Sequence, residues 1–128
     1  MQIKKIGVIG AGQMGNGIAH VLSLGGYQVI LNDIDKNTLE KASHNIKNNL
    51  ERQVNSKKIS TEESITALES ISYTMSFKEF NDVDLVIEAA TENEPIKQKI
   101  LNSLLPHIQP HTIITRNTSS ISITRLAS

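Results

Sequence analysis

The stretch Gly10-Ala11-Gly12-Gln13-Met14-Gly15 decides how this chain is read. An apolar run, Ile3 to Ile9, leads into it, and a segment of helical period leads out of it. A run that is apolar at nearly every position reads as a strand covered on both faces. In a G-x-G-x-x-G pattern the first glycine turns the chain sharply out of the strand. The second lets a pyrophosphate approach the backbone, and the third lets helix and strand pack closely. The helix N-terminus then offers unpaired N–H groups and the positive end of its dipole to phosphates. The hexapeptide alone reads equally well as a glycine-rich turn. With a strand before it, a helix after it and an acid downstream, it reads as a dinucleotide site. Gly10, Gly12, Gln13, Met14 and Gly15 are therefore the expected cofactor contacts.

The acid is Asp33, at the carboxyl end of a second apolar run, Tyr27 to Leu31. A carboxylate about 20 residues beyond the glycines accepts hydrogen bonds from ribose hydroxyls and repels a 2′-phosphate, which favours NAD over NADP. The plainer alternative is a turn aspartate or a helix cap, but Asp35 serves the cap better.

Outward from this unit, strands and helices alternate. After Gln13, the residues Met14, Ile18, Val21 and Leu22 share a helical face, and Gly25-Gly26 stops that helix. Leu39, Ala42, Ile46, Leu50 and Val54 mark a long amphipathic helix of roughly five turns. Ser60 or Thr61 caps a shorter one, with Ile65 and Leu68 expected inward, so the two helices form a hairpin. A third strand is expected over 71–75 and a fourth over 84–88. Asn93 and Pro95 open a further helix, whose expected apolar face is Ile96, Ile100, Leu101, Leu104, Leu105 and Ile108. A fifth strand follows over 112–115. This alternation predicts an α/β fold: a Rossmann-type, doubly wound parallel sheet of order 3-2-1-4-5, with the helical hairpin inserted after the second strand. The whole chain, 1–128, reads as one domain.

Composition narrows the partners. Lys plus Arg is 13 and Asp plus Glu is 13, so the formal net charge is zero. Nucleic acid and anionic membrane surfaces call for a basic footprint and are not expected partners. There is no cysteine, hence no disulfide framework and no thiolate chemistry. No signal peptide or membrane-spanning run is read, and no metal site, so a soluble cytoplasmic domain is expected.

Three stretches leave the carboxyl ends of strands: 10–15, 89–93 and 116–120. In an open parallel sheet ligands bind at that edge. Each polar residue there has a second reading. Asn93 caps a helix, Lys97 is a solvated helix charge, and Ser119 and Ser120 cap the segment that begins near Ile121.

At this point four motifs, in order and spacing, resemble the NAD-binding domain of the L-3-hydroxyacyl-CoA dehydrogenases, the short-chain 3-hydroxybutyryl-CoA enzymes of bacteria above all. They are the glycine loop continued through Asn16-Gly17-Ile18-Ala19, Asp84-Leu85-Val86-Ile87-Glu88-Ala89, Glu92-Asn93 with Lys97, and Asn117-Thr118-Ser119-Ser120. The resemblance covers nearly the whole chain. It implies hydride transfer between NAD and the 3-hydroxyl or 3-keto position of an acyl-CoA. It implies that Glu92 and Lys97 lie near the nicotinamide ribose, that Ser119 touches both nicotinamide and the substrate oxygen, and that Asn117 holds that loop. Lys57, with Lys58, would lie near the CoA.

Two features depart from the family. Arg116 stands where a small residue usually precedes Asn-Thr-Ser-Ser. The catalytic histidine's His-Phe-Phe-Asn-Pro-like motif is absent, and His20, His44, His107 and His111 lie in other contexts. No catalytic residue is therefore assigned within 1–128, and the resemblance implies that the catalytic histidine lies beyond Ser128. The chain resembles an N-terminal fragment, truncated before the last strand of the sheet and lacking the helical domain that completes the substrate site and the homodimer. Such a fragment is expected to be inactive alone and to self-associate weakly through the open fifth-strand edge, Ile121 to Ser128 either fraying or folding over it. Two other functions remain open: a stand-alone NAD-binding regulatory module, which the missing histidine would suit, and a related sugar-acid dehydrogenase.

Overall fold

The computed structural model describes residues 3–90 and 93–116. The elements run β1 (Lys5–Ile9), α1 (Gln13–Leu24), β2 (Gln28–Asn32), α2 (Lys36–Asn55), α3 (Thr61–Glu69) and β3 (Ile71–Thr74). A 3-10 turn, Phe77–Phe80, precedes β4 (Leu85–Glu88); α4 (Glu94–Leu104) and a second 3-10 turn, Leu105–His107, precede β5 (Ile113–Arg116). The strands form one parallel sheet of order β3-β2-β1-β4-β5, as the alternation predicts. The expected fraying or folding-over of Ile121 to Ser128, and the break before a last strand, fall outside the described residues.

Period-two alternation divides the apolar strands between two cores. Ile6, Val8, Leu31 and Ile87 face one side, where they pack with Ile18 and Leu22 of α1 and Ile46 and Leu50 of α2. Ile9, Ile30 and Val86 face the other, with Phe80, Val83 and Leu104. On that second face the ring of Phe80 fills the space a side chain at Gly7 would take. A Cβ there would lie 2.7 Å from a ring carbon.

Local chemistry sets the helix ends. The Asp35 carboxylate accepts the Asn37 N–H at the start of α2. Ser60 and Glu63 form a reciprocal capping box at α3. Asn93 caps α4, with Pro95 in its first turn. After α1 the chain reverses through Gly26, at φ +94°.

Several inward assignments are corrected. Met14 is 53% exposed and Val21 is also on the outer surface of α1, which turns Ile18 and Leu22 inward as expected, together with Gly15, Asn16, Ala19 and Ser23. In α3 it is Ser64 and Ala67 that are buried, not Ile65. In α4 Ile96 lies outside, as does Leu105 beyond the helix end, while Leu104 is buried. In α1 and α3 the reason is common, whereas α4 buries the long side chains of Lys97 and Leu104. Helices that approach a sheet or each other closely do so on small side chains, and bulky ones at the rim are left outside. The strand ends also shift by one residue or so: β2 runs to Asn32 and β5 to Arg116.

Candidate functional site

The glycine loop stands at the carboxyl end of β1, between β2 and β4, where the strand order reverses. Ligands bind doubly wound sheets at this point. Each glycine has a distinct task. Gly10 has φ +99°, and its N–H donates to the Asn32 carbonyl across the sheet at 2.7 Å. A Cβ on Gly10 would also lie 2.6 Å from the Ala90 Cα, so the turn after β4 seats directly on it. A Cβ on Gly15 would overlap the Gly10 carbonyl oxygen, so only glycine lets α1 come this close to β1. Over Gly12 a Cβ would meet nothing within 4 Å, which leaves open space in front of the helix. No side chain caps α1 at Gly12, and the helix ladder begins with the Asn16 N–H on the Gly12 carbonyl at 2.9 Å. The N–H groups of the first turn are thus available to an anion lying over Gly12. Residues and space both fit the pyrophosphate of NAD.

Asp33 lies directly after β2, half-buried, beside that loop. One carboxylate oxygen accepts the Ala11 N–H at 2.9 Å and the other accepts the Asp35 N–H at 2.9 Å. The turn-aspartate role is therefore real. It uses two of the roughly four lone-pair directions of a carboxylate, leaving acceptor capacity for ribose hydroxyls. Its plane is fixed by the two backbone donors.

Gly12 and Gln13 also line a cavity of about 550 Å³ between α1 and α2. Its α2 wall includes Thr38, Lys41 and Arg52, together with three asparagine side chains. Sequence reasoning missed this wall. Its signal was present as cations and amides on the polar face of α2. Lys57, at φ 63° in the turn after α2, lines a separate cavity of about 420 Å³ with Lys58 and Ser60. The structure thus does not bring Lys57 into the cavity that borders the glycine loop.

Across the switch point from Asp33, β4 ends in Glu88, which is buried. Lys97 on α4 is only 1% exposed, which corrects its reading as a solvated helix charge. Its Nζ lies 3.8 Å from Glu88 Oε1. The other Glu88 oxygen accepts the Ala90 N–H at 2.6 Å. Lys97 falls on the same helical stripe as Ile100 and Leu104, and that spacing could have placed it inside. Glu88, the acid closing an otherwise apolar strand, was the second missed signal. Arg116 ends β5 in register with Glu88. Glu92, Asn117, Ser119 and the terminal Ser128 lie outside the described residues, so the contacts expected of the first three, and the expectation of a catalytic histidine beyond Ser128, have no geometry here.

None of the histidines belongs to the glycine loop or the turns after β2 and β4. His20 on α1 pairs with Gln53 of α2 at 2.7 Å. His111 lies 3.4 Å from Asp84, which accepts the Lys4 and Lys5 N–H groups at the opposite edge of the sheet.

The loop, the acid and the strand order together describe an NAD site, and comparison with known proteins decides whose. Residues 5–128 match the family model for the NAD-binding domain of 3-hydroxyacyl-CoA dehydrogenase. The chain belongs to this family. A 3-hydroxybutyryl-CoA dehydrogenase of Bradyrhizobium diazoefficiens is 52% identical over 126 residues, covering 98% of this chain and 43% of that protein. Among solved structures, the (S)-3-hydroxybutyryl-CoA dehydrogenase of Ralstonia eutropha is 38% identical with a TM-score of 0.87, over 98% of this chain and 44% of the other. The 3-hydroxybutyryl-CoA dehydrogenase of Escherichia coli is 36% identical with a TM-score of 0.89, over 98% and 27%. This NAD-binding domain of the 3-hydroxyacyl-CoA dehydrogenase family thus spans less than half the length of these relatives. Among its described residues no helix is long and apolar enough to cross a membrane.

Proposed function

We propose that this chain is the cofactor-holding part of an NAD-dependent dehydrogenase that acts at the 3-hydroxyl or 3-keto carbon of a short-chain acyl-CoA. The observation that carries the reading is the glycine loop at the switch point, with Asp33 fixed beside it by Ala11 and Asp35. Bound NAD supplies the hydride acceptor, or NADH the donor. The chain's residues supply position. Gly10, Gly12 and Gly15 shape the bed of the pyrophosphate, with Gln13 and Met14 opening the helix above it, and Asp33 accepts the adenosine ribose hydroxyls. The nicotinamide half then falls on the β4 and β5 side, with Glu92, Asn117 and Ser119 as its contacts, while Lys97, buried beside Glu88, acts there through that carboxylate and not by touching the cofactor.

The cavity between α1 and α2 supports an acyl-CoA substrate. It adjoins the glycine loop and carries Lys41 and Arg52, two cations suited to the phosphates of a coenzyme. Lys57 lines a separate cavity, and its assignment to the CoA rests on the family resemblance. The general base must reach the substrate hydroxyl. Because no histidine of 1–128 has the required context, we place the base, the helical substrate region and the dimer contact outside these residues.

The test has two arms. Calorimetric titration of the 128-residue chain with NADH should give one site, displaced by ADP-ribose. The same chain, given NAD and 3-hydroxybutyryl-CoA, should produce no NADH. Failure to bind NADH overturns the cofactor assignment. Turnover that copurifies with the chain overturns the placement of the base outside it.

A further inference from the structure

The Glu88–Lys97 pair is an unusual expense at this point in the fold. Burying two charges costs more than burying apolar side chains of similar volume. Ion pairing alone gives no reason to put it at the end of the central strand β4. What surrounds it does. Glu88 is the last residue of β4, opposite Ile9 in register, and the Ala89 N–H continues that pairing onto the Ile9 carbonyl at 2.8 Å. One residue later the chain leaves the sheet, and there the Glu88 carboxylate holds the Ala90 N–H at 2.6 Å. Ala89 and Ala90 are the backbone that Gly10 packs against, with no room for a Cβ between them. Lys97 Nζ, 3.8 Å from the other carboxylate oxygen, ties the same group to α4.

We infer that Glu88 is a positioning residue for the cofactor. Its carboxylate, anchored by Lys97, sets the Ala89–Ala90 turn against Gly10 and so fixes the floor of the crevice under the nicotinamide half of NAD. This rests on the NAD reading above. Asp33 assigns the β2 side of the crevice to adenosine, and a dinucleotide crossing the switch point brings its other half over β4. The acceptor at position 88 does the positioning. The charge of Lys97 keeps that acceptor in place.

Two double variants separate these roles without leaving a lone buried charge. Glu88→Gln with Lys97→Met keeps an acceptor for the Ala90 N–H. Glu88→Met with Lys97→Met removes it. NADH and ADP-ribose are titrated against both variants and the original chain, with the emission of bound NADH recorded and each melting temperature measured. ADP-ribose lacks the nicotinamide and reports on the adenosine half and loop alone. The Gln/Met variant should bind both ligands within about threefold of the original chain. The Met/Met variant should keep ADP-ribose within about threefold but lose about tenfold or more in NADH affinity, together with the emission change of an immobilised nicotinamide. Equal NADH binding in all three overturns the inference. So does a parallel loss of both ligands in the Met/Met variant, which marks a merely structural pair. Amide exchange of Ala90 in the original chain gives a check that needs no variant. Protection is expected, and exchange at the rate of an open turn overturns the inference. If the original chain binds neither ligand, the NAD reading itself falls.

Discussion

Asp33→Asn should erase the preference for NADH over NADPH while leaving the fold intact. In the native chain the Asp33 carboxylate is held by the Ala11 and Asp35 N–H groups, each at 2.9 Å. It cannot swing away from a ligand without releasing both. A 2′-phosphate set where the ribose hydroxyl belongs would bring a second anion against it, at a contact separation of about 4 Å. At that separation two unit charges interact by about 4 kcal/mol at the effective dielectric of a protein surface. Asp33 is only half-buried, and salt and water screen it. About half of that, roughly 2 kcal/mol, is a fair net figure, and it corresponds to about 30-fold in affinity. Asparagine keeps the shape and one acceptor oxygen but carries no charge. NADH should then weaken by about tenfold, since a hydrogen bond to a charged acceptor contributes about 1.5 kcal/mol or more. NADPH should hold or improve, so the two affinities should converge to within about threefold. The assay is calorimetric titration of both cofactors at low and moderate salt. The native preference should shrink as salt rises, and the variant's should not move. An NADH-to-NADPH ratio unchanged by the substitution would refute the reasoning and reduce Asp33 to a turn residue.

Two further outcomes are expected from the scaffold. Backbone hydrogen bonds from Lys4 and Lys5, with a smaller contribution from His111, hold the Asp84 carboxyl below its ordinary range. A carboxyl whose folded value is depressed stabilises the fold above its unfolded value, near about 4, and that contribution is lost as pH falls through the folded value. Urea unfolding of Asp84→Asn across a pH series should therefore show lower stability at neutral pH and a curve that meets the original one in strong acid; parallel curves throughout would count against it. Gly7→Ala pushes a methyl into the Phe80 ring, 2.7 Å from the nearest ring carbon, and should cost about 1–3 kcal/mol in thermal or urea unfolding. Adding Phe80→Leu should recover part of that loss, and failure to recover any would place the strain elsewhere.

The sheet was legible because its strands are short apolar runs that the chain separates by helices. Once β1 and β2 flank the glycine loop, order and direction follow from few alternatives. Caps were legible too, since Asp35, Ser60 and Asn93 sit where their side chains can reach backbone N–H groups two or three residues on. Helix faces were less so. Apolar periodicity picks the arc of bulky residues, but α1 meets the sheet through Gly15 and Ala19, where closeness excludes bulk. Periodicity therefore turns Met14 inward, whereas it lies outside. The site divides in the same way. Asp33 is readable from its distance to the glycines. Glu88 and Lys97 are not readable from charge, because a charged side chain inside a core is the exception that no local pattern demands.

Two carboxylates thus stand at the ends of the strands that flank the cofactor loop, and their surroundings give them opposite work. Asp33 follows β2, half-buried, and both its oxygens hold backbone of the loop and the following turn. Because the group reaches the surface, it can also read a ligand. Glu88 ends β4 buried, with one oxygen on the Ala90 N–H and the other toward Lys97. Being inside, it reads only its own chain. The asymmetry follows from the sheet. β2 and β4 both neighbour β1, so residues after each border Gly10, through the Asn32 carbonyl on one side and Ala90 on the other. A loop that must keep its N–H groups aimed at a pyrophosphate is braced from both sides by acceptors that do not depend on the ligand. Substitution at Asp33 should therefore disturb the adenosine side of the crevice, and substitution at Glu88 the nicotinamide side. Only substitution at Asp33 should also change which dinucleotide the loop prefers, and an Asp33→Asn, Glu88→Met, Lys97→Met triple variant should show the two effects adding on NADH, because no described contact joins the two acids directly.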